Sequence, residues 1–389
     1  MRRSGGGNGQ YILTGATGFL GSHVMAGLLR QGRGVVILGR PSQDESLQER
    51  IERLLRWFGC EDRAGLCECH ETDFLATRLG LGGDAYEELC NRGLGIIHCA
   101  SDTSFAERNR RRVMQSNVEG LSEILDFAVA SGARRFSYIS TAYAAGTDQR
   151  ECPEAPVSAA HFTNVYEESK AEAEGIIARR CREGKVPCTI IRPSVVYGDS
   201  VTGRSLRFNA LYYPVRSLQH IRDIYLDDIT QHGGKKSAEC GIHINGDGEL
   251  YLPIRIFVPH EGTINLIPVD YFTDTVLAIV DRPAAETFYH VTSRNPETLA
   301  TLVSYIERFL NITGVEVVIG PSGADEMKNP PEELFDHFIR LYRPYMADRR
   351  IFTREHTDGA TGGALPPDLS YDIFQRCMAF AVAANWGQA

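Results

Sequence analysis

The chain has 389 residues, with 41 basic and 50 acidic side chains and a formal net charge of -9. An acidic balance of this size argues against bulk nucleic-acid binding. No apolar run approaches the ~20 residues that span a bilayer. At roughly 150 residues per domain the length suits about two domains.

The opening residues, MRRSGGGNGQ, hold two arginines with no apolar stretch behind them. They read as a flexible leader over 1–9 rather than a signal peptide. Tyr11 to Thr14 is a short apolar strand, and Phe19 to Arg30 follows as a helix with Leu20, Val24 and Leu28 at helical spacing. Gly34 to Leu38 is a second strand, Ser46 to Phe58 an amphipathic helix, and Leu66 to Glu71 and Gly95 to Cys99 further strands. Val113 to Ser131 reads as helical, Arg135 to Ser140 as a strand, Asn164 to Arg182 as a long helix and Pro187 to Ile191 as a sixth strand. Alternating strands and helices, with several strands apolar at consecutive positions, are the signature of a parallel sheet covered on both faces. The expected fold is α/β: a Rossmann-type doubly wound parallel sheet with a smaller, mostly C-terminal substrate domain.

The rhythm loosens after about Gly198. Leu250 to Val258 and Phe288 to Thr292 are strand-like, Leu299 to Leu310 and Pro331 to Leu341 helical, Thr357 to Pro367 a loop, and Tyr371 to Ala384 a closing helix. The expected division is a nucleotide-binding domain over 10–200, with a returning segment near 260–295, and a substrate-binding and C-terminal region over 201–389. The ten cysteines lie scattered among apolar segments, which fits reduced thiols and a cytoplasmic setting. CECH, Cys67 to His70, lacks a second ligand pair at zinc spacing and reads as a strand; no metal is expected.

Gly15, Gly18 and Gly21 stand between the first strand and the first helix. This is the dinucleotide-binding arrangement: the first glycine for the tight turn, the second for backbone approach to a pyrophosphate, the third for helix packing. The phosphates would meet the N-terminus of the helix, with Thr17, Phe19 and Leu20 beside them. After the second strand comes Arg40, where an acidic residue would bind the ribose of NAD. A basic residue there favours the 2′-phosphate, so the expected cofactor is NADPH/NADP.

Tyr166 and Lys170 lie four residues apart on a predicted helix and share one face. A nearby ammonium and an oxidised nicotinamide both favour the phenolate, bringing the tyrosine toward a working pKa. A hydroxyl at Ser140-Thr141 could hold the same carbonyl oxygen.

Together TGATGFLG, YISTAY and the Tyr166–Lys170 pair resemble an extended short-chain dehydrogenase/reductase. HCASDTSF, NVEG, RPSVVYGDSVTG, FNALYYPVR, IPVDYF and FYHVTSRNP narrow the resemblance to thioester reductase domains and fatty acyl-CoA reductases, over roughly Tyr11 to Pro296. The last ninety or so residues are similar to those reductases only faintly, in RLYRPYM and the closing helix. The resemblance implies Thr141, Tyr166 and Lys170 as the catalytic group, with Ser140 as the alternative to Thr141. It puts Asp73 and Phe74 at the adenine, Ala100 and Ser101 under the cofactor, and Pro193, Val195 and Val196 at the nicotinamide end. Asn117 matches a helix asparagine found near the site and reads equally well as packing. Thr103, Phe105, Tyr143, Phe208 and Tyr212 are the substrate candidates, though such aromatic runs are often core.

The implied activity is NADPH-dependent reduction of an acyl thioester, on coenzyme A or an acyl carrier protein, to the aldehyde, with the alcohol as the alternative end product. No carrier or adenylation domain is evident in the chain, so a free-standing enzyme is expected. The competing expectation is an extended reductase, epimerase or dehydratase acting on a ketone, steroid-like or sugar-nucleotide substrate. The basic run RNRRR, Arg108 to Arg112, reads as a solvated helix face or as a site for coenzyme A phosphates or an acidic carrier.

Overall fold

The structure, a computed structural model, describes residues 9–282, 287–320 and 328–387. The leader expected before these residues lies outside them, apart from Gly9. The chain divides into two compact units. The first holds the chain up to Ser194 together with Val269–Thr292 and Arg350–Leu365; the second holds Val195–Pro268, Ser293–Arg349 and the chain from Pro366 onward. The returning segment is therefore shorter than 260–295. A second one, Arg350–Leu365, comes from the region that sequence reading places wholly in the C-terminal part.

The first unit is built on seven strands: β1 (Tyr11–Thr14), β2 (Val35–Gly39), β3 (Cys67–Glu71), β4 (Gly95–His98), β5 (Phe136–Ile139), β6 (Cys188–Pro193) and β7 (Phe288–Val291). Their order is β7-β6-β5-β4-β1-β2-β3, and every pairing is parallel. The order reverses between β1 and β4, which places a ligand crevice at the C-terminal ends of those two strands.

Five helices matter to the site: α1 (Phe19–Arg30), α2 (Leu47–Phe58), α3 (Leu121–Ala130), α4 (Val165–Glu183) and α5 (Val269–Asp281). Helix α2 begins with a capping box between Ser46 and Glu49 and stops at Gly59 in the left-handed region, as its sequence dictates. Helix α1 crosses α5 so closely that a Cβ on Gly27 would stand 2.7 Å from Leu277. Ile12, Val36, Ile96, Phe136, Ile177 and Ile190 belong to the core cluster of this unit.

Val113 to Ser131 is helical with a π turn inside it: Arg110–Met114 is α-helical, Gln115–Glu119 is a π turn, and α3 begins at Leu121. One expectation needs correction here. The Thr357 to Pro367 stretch is not all loop. Glu355–Thr361 is helical and ends at Gly362 in the left-handed region, with Thr357 buried against Glu154. The glycine and threonine content hid a short helix anchored by long-range contacts.

The second unit has its own core. Strands Leu250–Val258 and Ile312–Ile319 pair in parallel, and His243–Ile244 adds an antiparallel edge. Helices Tyr212–Gln231, Leu299–Leu310, Pro330–Ile339 and Tyr371–Ala383 belong to the same unit. No helix among the described residues is long and apolar enough to cross a membrane.

Candidate active site

The glycine turn follows β1. Gly15 has φ +70°, and a Cβ there would stand 2.6 Å from the Ala100 nitrogen, just past β4. Only glycine permits both the turn and this approach at the switch point. Gly21 is equally constrained, since its Cβ would lie 2.2 Å from the Gly15 oxygen. Gly18 caps α1 with no side-chain acceptor, and the first turn of α1 has no acidic residue. The N-terminal N–H groups beside Thr17, Phe19 and Leu20 are thus left for an anion, and the cradle suits the pyrophosphate of a dinucleotide.

The strand ends around the turn are tied together. Thr14 Oγ1 accepts from the Ala100 N–H (3.2 Å) and lies 2.9 Å from His98 Nδ1. Burial pushes the His98 imidazole down to about 3, so it is neutral. Arg40, just after β2, is exposed, and its carbonyl accepts from Arg50. Asp73 is exposed, with Oδ1 accepting from the Leu75 N–H, and Phe74 stands edge-on to His98.

Asn117, on the π turn, links two parts of the site. Its Oδ1 accepts from Ser101 Oγ (3.1 Å) and the Asp102 N–H (2.7 Å). Its Nδ2 donates to the Asp102 carbonyl (2.9 Å) and to Ser169 Oγ (2.9 Å). Ser169 Oγ in turn donates to the Tyr166 carbonyl (2.8 Å). The π turn lets one buried amide satisfy the loop after β4 and the start of α4 together.

Helix α4 starts at Asn164, whose Oδ1 accepts from the N–H groups of Tyr166 and Glu167. Tyr166 is therefore in the first turn and Lys170 one turn further on. Lys170 is buried; its Nζ donates to the Ile139 carbonyl (2.7 Å) and lies 4.4 Å from the Tyr138 ring centre and 6.0 Å from that of Tyr166. Burial pushes the lysine down to about 7. Burial, with Glu167 adding to it, raises the Tyr166 phenol above its ordinary value. In the chain by itself, desolvation thus outweighs the pull of the ammonium that sequence reading emphasises.

Thr141, two residues past β5, is buried; its hydroxyl donates to the Pro193 carbonyl (3.5 Å) and accepts from the Tyr143 N–H (3.3 Å). Ser140, the alternative, is otherwise engaged: its Oγ donates to Glu174 Oε1 (2.5 Å). Glu174 also accepts both arms of Arg192 (2.9 and 2.6 Å), and both side chains are almost wholly buried. Arg192 reaches His290, whose imidazole burial pushes down to about 3. This buried row across α4, β6 and β7 escaped sequence reading. The i, i+4 spacing of Lys170 and Glu174 is its only sequence-level signal.

Of the substrate candidates, Phe105 packs against Tyr166 with ring centres 5.8 Å apart, and Thr103 is exposed. Tyr143 is covered, with Arg350 over its ring and Phe352 edge-on to it. Phe208 and Tyr212 belong to the second unit. Tyr212 is core, its phenol oxygen accepting from the Gly198 N–H (2.9 Å), and Phe208 stands edge-on to it. Val195 and Val196 also lie there, paired with Leu266–Pro268, while Pro193 ends β6 in the first unit. CECH is edge strand β3, with His70 Nε2 2.7 Å from Glu68. Among the described residues no cluster of histidine, cysteine, aspartate and glutamate is placed to hold a metal.

Residues 13–276 match the family described as Male sterility protein, an NAD-binding family. The chain belongs to that family. Its members are extended short-chain dehydrogenases/reductases, oxidoreductases that use a nicotinamide cofactor. Relatives of this male sterility-type domain include the L-2-aminoadipate reductase large subunit of Penicillium chrysogenum, 25% identical over a 295-residue alignment that covers 70% of this chain and 18% of that protein. The chain thus spans less than a fifth of that relative's length. Among solved structures, the terminal R domain from the myxalamid PKS-NRPS biosynthetic pathway has a TM-score of 0.75 at 20% identity, covering 98% of this chain and 92% of that one. A thiolation-reductase di-domain from an archaeal non-ribosomal peptide synthetase has a TM-score of 0.70 at 16% identity, covering 98% and 76%. Both likenesses concern the fold.

Proposed function

We propose that this male sterility-type domain reduces an acyl thioester with NADPH, and that its natural substrate is held on a carrier protein. One observation carries the reading: the buried Thr141 hydroxyl, past the end of β5, and Tyr166 and Lys170, at the start of α4, stand in the same unit as the glycine cradle. A bound nicotinamide supplies the hydride. Thr141 and Tyr166 donate hydrogen bonds to the thioester oxygen as negative charge develops on it. Tyr166, held protonated by burial, is the proton donor. Lys170, anchored on the Ile139 carbonyl, places a cationic edge behind the phenol when protonated. Loss of the thiol leaves the aldehyde, and a second reduction gives the alcohol.

The carrier-bound substrate is favoured by the relatives, which include a non-ribosomal peptide synthetase, the R domain of a PKS-NRPS pathway and a thiolation-reductase di-domain. In RNRRR, Arg110 is paired with Glu107 and Glu168, and Arg112 with Asp102. Arg108 and Arg111 are exposed and suit an acidic carrier surface.

The test is absorbance at the nicotinamide band with NADPH and a panel of acyl-CoAs and carrier-bound acyl groups. The reading expects oxidation that is fastest on carrier-bound substrates and falls at least about a hundredfold in Tyr166→Phe. Silence on every thioester, with turnover of free ketones or aldehydes, would overturn the substrate assignment.

A further inference from the structure

Glu167 is the side chain after Tyr166, and it is completely buried. Its Oε2 accepts from the Thr163 N–H (3.0 Å), which leaves a carboxylate inside the protein beside the proposed acid. An ionised carboxylate in such a place demands a compensating charge. The cation comes from the far end of the sequence. Arg350 opens the second returning segment; its Nη1 lies 3.7 Å from Glu167 Oε2, and its side chain is 8% exposed. The same guanidinium donates to the Gly146 carbonyl (3.0 Å) and weakly to that of Tyr143 (3.5 Å), and sits 4.6 Å from the Tyr143 ring centre. Arg350 therefore touches the loop that leaves Thr141 and the first turn of the helix that carries Tyr166. Its position is fixed by the pairing of Ile351–Phe352 with Glu151–Cys152.

We propose that Arg350 is a positioning residue for the active site, which neutralises Glu167 and so keeps Tyr166 a competent proton donor. The inference rests on the catalytic reading of Tyr166. The charged and titratable groups facing Tyr166 are Glu167 and Lys170 from its own helix and Tyr138 from β5; Phe105 packs on its ring without charge. Those facing Glu167 include Arg350 and Tyr166. Removing the guanidinium takes this cation from the carboxylate beside the phenol, which disfavours the phenolate and weakens the acid.

The experiment is a double-variant cycle on the full chain, with Arg350→Gln, Glu167→Gln, the pair together, and Arg350→Lys. Each is followed by its pH–rate profile, its cofactor dissociation constant and its thermal midpoint. Arg350→Gln is expected to move the alkaline fall-off of kcat upward by about one pH unit and to slow turnover roughly tenfold at neutral pH. Adding Glu167→Gln should restore both to within about threefold, because the carboxylate charge itself is gone, and Arg350→Lys should keep the wild-type profile. If the pair stays as slow as Arg350→Gln, or if the fall-off does not move, Arg350 merely tethers the two carbonyls and the proposal is wrong. If Arg350→Gln does not fold, Arg350→Lys and Glu167→Gln still decide: the profile must stay put in the former and move downward in the latter. Turnover that ignores Tyr166→Phe refutes the catalytic reading itself, a different result from Tyr166-dependent turnover without rescue.

Discussion

At the scale of single residues, Lys170 is held in a state that costs stability. Burial lowers its pKa from 10.5 to about 7. Between those values the unfolded chain carries a proton that the folded chain has lost, so the lysine's contribution to stability rises with pH across that window. Below about pH 7 both states are charged, and the penalty for the buried ammonium is fully present. Lys170→Met should therefore gain thermal midpoint over the wild type most at pH 6, with the gain shrinking toward pH 10, while activity is lost. Leaving the Ile139 carbonyl without its donor shifts both ends of this comparison by a similar amount, so the slope is the test. Parallel melting curves across pH would refute it. Arg40 supports a second prediction. It is the exposed cation directly after β2, where a 2′-phosphate would lie. Arg40→Asp should reverse the preference for NADPH over NADH by tenfold or more in kcat/KM, read from steady-state rates with each cofactor. An unchanged ratio would remove Arg40 from the cofactor site.

At the scale of elements, legibility followed locality. Helix α1 has the bounds its sequence suggests, and α2 follows from Ser46, Glu49 and Gly59, because caps and glycine turns are written in adjacent residues. The glycine cradle was legible for the same reason. Helix Tyr212–Gln231 went unread, although Val215, Leu218, Ile221 and Tyr225 are buried at helical spacing, because the polar, glycine-bearing run after it masked the period. Ile312–Ile319 depends on pairing with a strand some sixty residues earlier, Leu250–Val258, and its sequence alone states no partner. The π turn was beyond reach as well, since it is justified only by what Asn117 meets. That element carries its own prediction. Asn117→Ala strands the Asp102 N–H and leaves the Ser101 hydroxyl and the Asp102 carbonyl only their long mutual contact (3.4 Å), at a cost of about 2–3 kcal/mol. It should also release the Ser169 contact that steadies the Tyr166 carbonyl, so kcat should drop by more than the loss of folded protein accounts for. A variant that melts earlier yet turns over at the wild-type rate per folded molecule would make Asn117 packing alone.

At the scale of the molecule, the first unit is assembled from three separate pieces of chain, and Glu154 joins them. This buried carboxylate accepts from the His290 N–H on β7 (2.7 Å), and from the N–H groups of His356 (2.6 Å) and Thr357 (3.2 Å) and the Thr357 hydroxyl (2.8 Å). Strand β7 is the last in the sheet, and an open edge of unpaired N–H groups is a liability. Glu154 covers one such group and secures the helix Glu355–Thr361 with the same side chain. Nearby, Arg354 donates to the Thr292 carbonyl and to Tyr271 Oη (2.9 Å), drawing α5 into the same knot. No sequence motif announces this, because every partner of Glu154 lies more than a hundred residues away. Glu154→Gln replaces one of the two acceptor oxygens with a donor that faces N–H groups. It should destabilise the first unit by about 2–4 kcal/mol and raise amide exchange in 350–365 and at His290 well before global unfolding. The loosened segment begins with Arg350, so the same variant should reproduce in weaker form the pH–rate shift of Arg350→Gln. Exchange that rises evenly over the whole unit would mean that the returning segment is held mainly by its apolar contacts and that Glu154 does not join the pieces.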